Sequence, residues 1–394
     1  MIAARFGHRA PDPSERLRAV LDLPDDAGSC EALLEAARDP SLEVAKAALR
    51  RLGELGGPRE AAILRERLLS VDLGLVAARA RTLRLLGDDG APAVACRGLE
   101  DPAPSTRLAA AIALAELGDD RSRGALHAVL ADPIAGVRRA AVEALGRLSA
   151  DPASEELTAN LLTDRDAEVR AAAVRALLRT AADPDGRLIS AVVDPEPRVR
   201  RELARGCGRL NEQTIRMLAG DEHGDVRAET MWALVENPRP ELFSTIAHAV
   251  GDPVWQVRHA ASRALGALGD ERAFPPLARA LIDAHPTVRA GALRALGEIF
   301  AERLVDRLGT ELERADPALR RALAYALAST GEARAAPWLA QLEHDPDPDL
   351  RIALVHALVD LRASEAAPTL RRLARDPDAG VRHAAKTALA TERE

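Results

Sequence analysis

Aromatic side chains are nearly missing from this chain: three Trp, one Tyr and four Phe in 394 residues, although 47% of the residues are apolar. Ala, Leu and Val must carry the core, and a mix dominated by Ala and Leu favours helix. Cysteine is as scarce. Cys30, Cys96 and Cys207 are odd in number, far apart and free of any Cys-x-x-Cys spacing. That excludes a disulfide framework and points to a reducing compartment, the cytoplasm. Charges interrupt every apolar run before it reaches the roughly 18 residues that a membrane span needs. The opening MIAARFGHRAPDPSERLR lacks the apolar stretch of a secretion signal. An excess of positive charge is lacking too, with 54 Lys and Arg against 61 Asp and Glu and a net charge of −7. A field of that sign disfavours nucleic acid and anionic membrane, unless a local basic patch overrides it. No P-loop, GxSxG or HExxH occurs, and no GxGxxG follows a strand pattern.

What the chain does have is a repeat. Let position 0 be the residue, usually apolar, eight before the leucine of a phrase such as VRxAAxxALG. It falls at Val44, Leu75, Thr106, Val137, Val169, Val199, Val226, Val257, Val288, Leu319, Leu350 and Val381. The steps are 31, 31, 31, 32, 30, 27, 31, 31, 31, 31 and 31 residues. Position +8 is Leu in eleven of the twelve copies and Cys207 in the sixth. Positions 0, 3, 4, 7, 8 and 11 are mostly apolar, which describes a helix with one wide buried face. A shorter helix precedes each, as in RGALHAVLAD at 123–132, and an Asp-Pro turn joins the two. Pro104, Pro197, Pro286, Pro317 and Pro348 suit the first turn of the second helix, where no amide hydrogen is needed.

Two such helices cannot bury their own faces, so the copies must stack. The pattern predicts residues 1–28 as an N-terminal capping segment, with a short helix SERLRAVLDL at 14–23, and residues 29–394 as one continuous stack. The recurring motif is DPxxxVRxAAxxALGxLG, as in DPIAGVRRAAVEALGRL (132–148) and DPVWQVRHAASRALGALGD (252–270). It resembles the HEAT repeats, in particular the compact variety of the phycobilisome lyases. That resemblance covers nearly the whole chain. It implies an all-α fold, a right-handed α-solenoid of about twelve two-helix HEAT-like repeats. It implies less about function, since such proteins include scaffolds, bilin lyases, metal-dependent hydroxylases and, by a related design, DNA glycosylases. The His-Glu dipeptides of the HEAT-type di-iron hydroxylases do not occur. No metal, cofactor or catalytic residue is assigned.

Position +1 is Arg in ten copies, and Asp lies five before position 0 in ten copies. So regular a pairing predicts a structural arginine ladder, tying the turn of one copy to the helix of another by fork-shaped hydrogen bonds. In HEAT arrays the second helices line the concave side, and positions +2, +6 and +9 face away from the core. Position +6 is Arg in six copies. An acidic protein is thus expected to line its groove with positive charge and carry its acid in turns and first helices. The plainer alternative is that arginine stems simply cover an alanine-rich surface.

Copies six and seven break the pattern. Position +3, Ala or Gly in most copies, becomes Glu202 and Glu229, and the one short step of 27 residues falls between them. Trp232 takes a groove position and Trp255 enters the next turn. Failures of a repeat often mark function. Each glutamate is expected to pair with a ladder arginine of the neighbouring copy, Arg227 or Arg200, ahead of serving as a carboxylate pair for acid–base or metal chemistry. Cys207 reads as a small buried hydrophobe, and His223 and His285 as solvated or capping residues in turns. The expected function is a non-catalytic, cytoplasmic scaffold or adaptor whose groove holds an acidic protein or peptide. Its expected contact residues are Arg175, Arg201, Arg205, Trp232, Trp255, His259, Arg263, Arg294 and Tyr325, with Glu202 and Glu229 as polar support. Two other readings stand beside it. One is a nucleic-acid-acting enzyme resembling the HEAT-like alkylpurine DNA glycosylases, with Trp232, Trp255, Glu229 and Arg205 as an echo and the net charge against it. The other is a bilin-lyase-like small-ligand protein.

Overall fold

The computed structural model describes residues 10–69, 72–361 and 367–391, and among them every regular element is helical. The chain divides into two compact units, residues 1–203 and 204–394. The first holds α1 (Pro13–Leu21), α2 (Cys30–Ala36), α3 (Leu42–Leu55), α4 (Pro58–Glu66), α5 (Leu73–Leu85), α6 (Ala91–Gly98), α7 (Pro104–Leu117), α8 (Arg123–Ala128), α9 (Ala135–Leu145), α10 (Pro152–Asn160), α11 (Ala167–Thr180), α12 (Pro184–Leu188) and most of α13 (Pro197–Arg205). The second holds α14 (Glu212–Ala219), α15 (Gly224–Glu236), α16 (Phe243–Ala249), α17 (Trp255–Leu268), α18 (Phe274–Ala280), α19 (Pro286–Phe300), α20 (Leu304–Leu312), α21 (Pro317–Ser329), α22 (Ala336–Ala340), α23 (Pro348–Leu361), α24 (Ala367–Leu373) and α25 (Ala379–Thr391).

The second helix of each repeat is the long one, and the 3.6-residue period says why. Val137, Ala140, Ala141, Ala144 and Leu145 of α9 all lie on one face and are all buried. The leucine column at +8 is buried from Leu52 to Leu358, and only Leu389 of the last copy is half-exposed. Each buried leucine contributes about 1.5–3 kcal/mol relative to an exposed one. Small residues at +3, +4 and +7 let neighbouring second helices pack side by side: α3, α5, α7, α9 and α11 in the first unit, α15, α17 and α19 and then α21, α23 and α25 in the second. The first helices are short and several relax into a 3-10 turn, as α8 does at Val129–Ala131.

The Asp-Pro turn works through its aspartate. Asp101 accepts a hydrogen bond from the Ala103 amide at 2.8 Å, Asp252 from Val254 at 2.8 Å and Asp345 from Asp347 at 2.9 Å. Each bond closes a tight Asx turn. Pro104, Pro197, Pro286, Pro317 and Pro348 each begin a second helix. Where the preceding repeat carries an arginine at +1, the turn aspartate then receives it. In the first unit Arg107 donates from Nε to Asp132 at 2.7 Å, Arg138 to Asp164 at 2.7 Å and Arg170 to Asp194 at 2.7 Å. In the second unit Arg227 holds Asp252 at 2.7 Å, Arg258 holds Asp283 at 2.6 Å, Arg351 holds Asp376 at 2.8 Å, and Arg320 pairs with Asp345. The remaining nitrogen, Nη1, reaches back to carbonyls of its own turn, as Arg138 does to Asp132 at 2.8 Å and Arg351 to Asp345 at 2.7 Å.

Helix α1 takes the place that a second helix holds in the other repeats. It packs on α3, buries Val20, and its Arg16 forks onto Asp39 at 2.7 and 2.9 Å. The 27-residue step is taken out of α13, which ends at Arg205 where most of its counterparts run on for another turn or more. Cys207 follows in a 3-10 turn and is fully buried. Burial pushes its thiol up to about 12, the behaviour of a packing residue and not of a nucleophile.

Candidate functional site

The expected contact residues fall into separate groups. In the second unit α17 carries Trp255, His259 and Arg263 at intervals of four, one stripe on a single helix face. Trp232 reaches this stripe from α15 and meets His259 edge to face, with ring centroids 5.4 Å apart, and it remains 41% exposed. Trp255 lies flat on His285, centroids 3.8 Å apart and planes 4° from parallel. His285 also caps α19, its Nδ1 accepting from the Thr287 amide at 3.3 Å. His223 sits in its turn without a side-chain capping bond.

On its other side His259 rests on α19 where the chain has Gly291. A Cβ there would lie 2.5 Å from His259 Nδ1. Burial lowers the His259 pKa from its ordinary value, and the ring lies as a flat spacer between Trp232 and α19. Arg263 continues the stripe and donates to Glu298 of α19 at 2.9 and 3.1 Å, and Arg294 donates to the same carboxylate at 3.0 Å. Burial works against the charge on Glu298, but these two guanidiniums hold it below the ordinary carboxylate range. One turn before Trp232, Glu229 accepts from Arg205 at 3.1 Å.

The remaining residues lie elsewhere. Arg175 of α11 belongs to the first unit, between Glu143 at 3.1 Å and Glu202 at 3.2 Å. Arg201 is half-buried on α13. Tyr325 stands on α21, 38% exposed, beside a different cleft.

Two expectations are corrected. Glu229 pairs with the groove arginine Arg205 and not with a ladder arginine; Glu202 has the groove arginine Arg175 among its partners. Arg227, the ladder candidate, is already committed to Asp252. The acid does not sit only in turns and first helices either. Glu116 and Glu143 of the first unit and Glu298 of the second stand on second helices and pair with Arg81, Arg175 and Arg263, so in each unit these helices carry a lattice of both signs. In the second unit the balance stays positive. Arg263 and Arg294 share the single Glu298, and no ion pair engages Arg321 among the described residues.

Among the described residues no three His, Cys, Asp or Glu side chains gather as a metal-binding group. No described helix is long and apolar enough to cross a membrane.

Stacked pairs of a short and a long helix, with runs of long helices packed side by side within each unit, define an all-α solenoid. The model for HEAT repeats matches residues 6–84, 92–178, 212–297, 277–342 and 305–390, and the chain belongs to the HEAT-repeat family. Solved structures with a similar fold include a complex of Kap95p with RanGDP (TM-score 0.55, 13% identity, 98% of this chain and 65% of that one). They also include yeast importin-beta, Kap95p itself (TM-score 0.55, 12% identity, 95% and 62%). A third is importin beta crystallised in ammonium sulfate (TM-score 0.54, 14% identity, 95% and 62%). The chain spans less than two thirds of the length of these importin chains. No curated protein sequence matches it.

Proposed function

We propose that the protein is a non-catalytic scaffold or adaptor that binds an acidic protein or peptide on the exposed face of its second helices, with α15, α17 and α19 as the centre. The carrying observation is the stripe Trp255–His259–Arg263 with exposed Trp232 set against it. Trp and Arg are the side chains most often found at the energetic centre of protein interfaces. Here their rings and guanidiniums are already held in place by neighbours, which lowers the ordering cost of binding. The charge left over by Arg294 and Arg263 sharing Glu298 suits a partner carboxylate. The importin complex with RanGDP is a protein complex built on the same fold, and this supports a protein as the kind of partner.

A polyanion is the weaker reading, because DNA would meet the glutamates of the lattice together with the arginines. The test is affinity capture from the source cell with the wild-type chain and with Trp232→Ala and Arg263→Glu variants, each checked for unchanged helix content. A specific protein retained by the wild type and lost with both variants is expected. Equal retention by all three chains overturns the assignment of this face. Duplex DNA bound at low salt and released as salt rises would instead mark nucleic acid as the partner.

A further inference from the structure

The pairing of each +1 arginine with the aspartate of the following turn has one exception inside the array. Arg289 stands at +1 of the ninth copy, but the tenth supplies Arg314 where ten of the twelve copies have Asp. Arg289 does make the half of the arrangement that its own turn provides. Its Nη1 donates to the carbonyls of Asp283 at 2.8 Å and Ala284 at 3.1 Å. Among the described residues no carboxylate meets its other two nitrogens, and the side chain is exposed. The neighbouring copy shows what such a fork accepts: Arg258 Nε and Nη2 grip both oxygens of Asp283, at 2.6 and 2.8 Å.

The packing opens at the same place. Helices α19 and α21 make only sparse backbone contact, whereas α17 with α19 and α21 with α23 lie close together. The column at +5, buried at Met231, Ser262, Ala324 and Val355, is half-open at Leu293. Leu319, at an otherwise mostly buried position 0, is half-open as well. A cleft of about 590 Å³ results, walled by Ile282, Leu293 and Tyr325 and bordered by Arg289 and Arg321. Ile282 is 45% exposed. Two guanidiniums without a carboxylate thus flank an apolar wall.

We infer that this cleft docks an acidic segment of a partner protein. An aspartate or glutamate of that segment takes the place of the missing turn aspartate on Arg289, and an adjacent apolar side chain lies against Leu293 and Tyr325. The inference shares with the proposed function only the kind of partner; its residues are separate from the Trp232 stripe.

The probe is a fluorescently labelled peptide AVGDPVWQV, residues 249–257 of this chain, which is the turn that Arg227 holds. Its anisotropy is read on titration with the full chain. Saturable binding is expected, at least tenfold weaker for the peptide with Asn in place of its Asp and for Arg289→Ala. The Arg314→Asp chain restores a carboxylate from within, so it too is expected to lose at least tenfold in peptide affinity while its melting temperature rises. Trp232→Ala is expected to bind the peptide unchanged, which keeps failure here distinct from failure of the stripe. The inference is overturned if the wild type shows no saturable binding. Equal binding of the Asn peptide, or equal binding by Arg289→Ala or Arg314→Asp, overturns it as well.

Discussion

At Gly291 the chain gives up a methyl group so that His259 can lie against α19, and this has a measurable cost if reversed. A Cβ 2.5 Å from His259 Nδ1 must push the ring towards Trp232, so Gly291→Ala should destabilise the protein by roughly 1–3 kcal/mol. In a His259→Ala background most of that loss should vanish, a coupling that urea unfolding of the four chains reads directly. The imidazole itself should titrate below its ordinary 6.5, because burial lowers it. Stability from the neutral ring is therefore complete above that ordinary value and is lost as pH falls through the lower folded one. An NMR titration of the ring protons checks the direction. Ala301 offers the opposite experiment. It is the one described residue other than glycine with a left-handed φ, 43°, a conformation that costs a non-glycine residue about 1 kcal/mol or more. Ala301→Gly should raise the melting temperature, and an unchanged or lower value would remove the strain argument.

At the scale of the element, the turn and the long helix form a single device. Asp closes its own turn and is then held by the arginine of the preceding repeat. Removing a buried arginine from a complete pair leaves a carboxylate stranded, so Arg351→Ala should cost about 3 kcal/mol. Arg289→Ala strands nothing and should stay within about 0.5 kcal/mol of wild type. Equal losses in urea melts would mean that Arg289 has a carboxylate partner after all. Most of this device is legible in sequence because it is periodic. Leu at +8, Pro at the first helical turn and the Asp–Arg spacing all recur, and recurrence separates signal from composition. The partners of the exposed arginines were not legible. Glu298 serves Arg263 from +10 of the next copy, while Glu143 serves Arg175 from +6 of the preceding one. That choice depends on how adjacent helices slide past each other, and no column encodes it. The gap at Arg314 is visible in the aspartate column. That α19 and α21 make only sparse contact and leave Leu293 half-open emerges only once the helices are packed.

At the scale of the whole molecule the aspartates make stability depend on pH. Hydrogen bonds from Arg258 and Arg351 hold Asp283 and Asp376 below the ordinary carboxylate range. Asp132, Asp164 and Asp252 are held low as well, against the opposing pull of burial. Depressed carboxylates stabilise the fold fully above their unfolded value, near 4, and lose that contribution as pH falls through the folded values. The melting temperature should be level from neutral pH to about 5 and fall steeply below 4. A melting curve indifferent to acid would contradict the paired aspartates. A net charge of −7 coexists with Arg263, Arg294 and Arg321 on second helices of the second unit, so local surface and overall field differ in sign there. The most direct test of the central claim is site-specific photo-crosslinking in the source cell. A crosslinking residue replaces Trp232 on α15 in one chain and the exposed Met217 on the first helix α14 in another. A discrete protein adduct is expected from position 232 and none from position 217; the same adducts from both positions, or none from 232, would rule out the face around Trp232 as the docking surface.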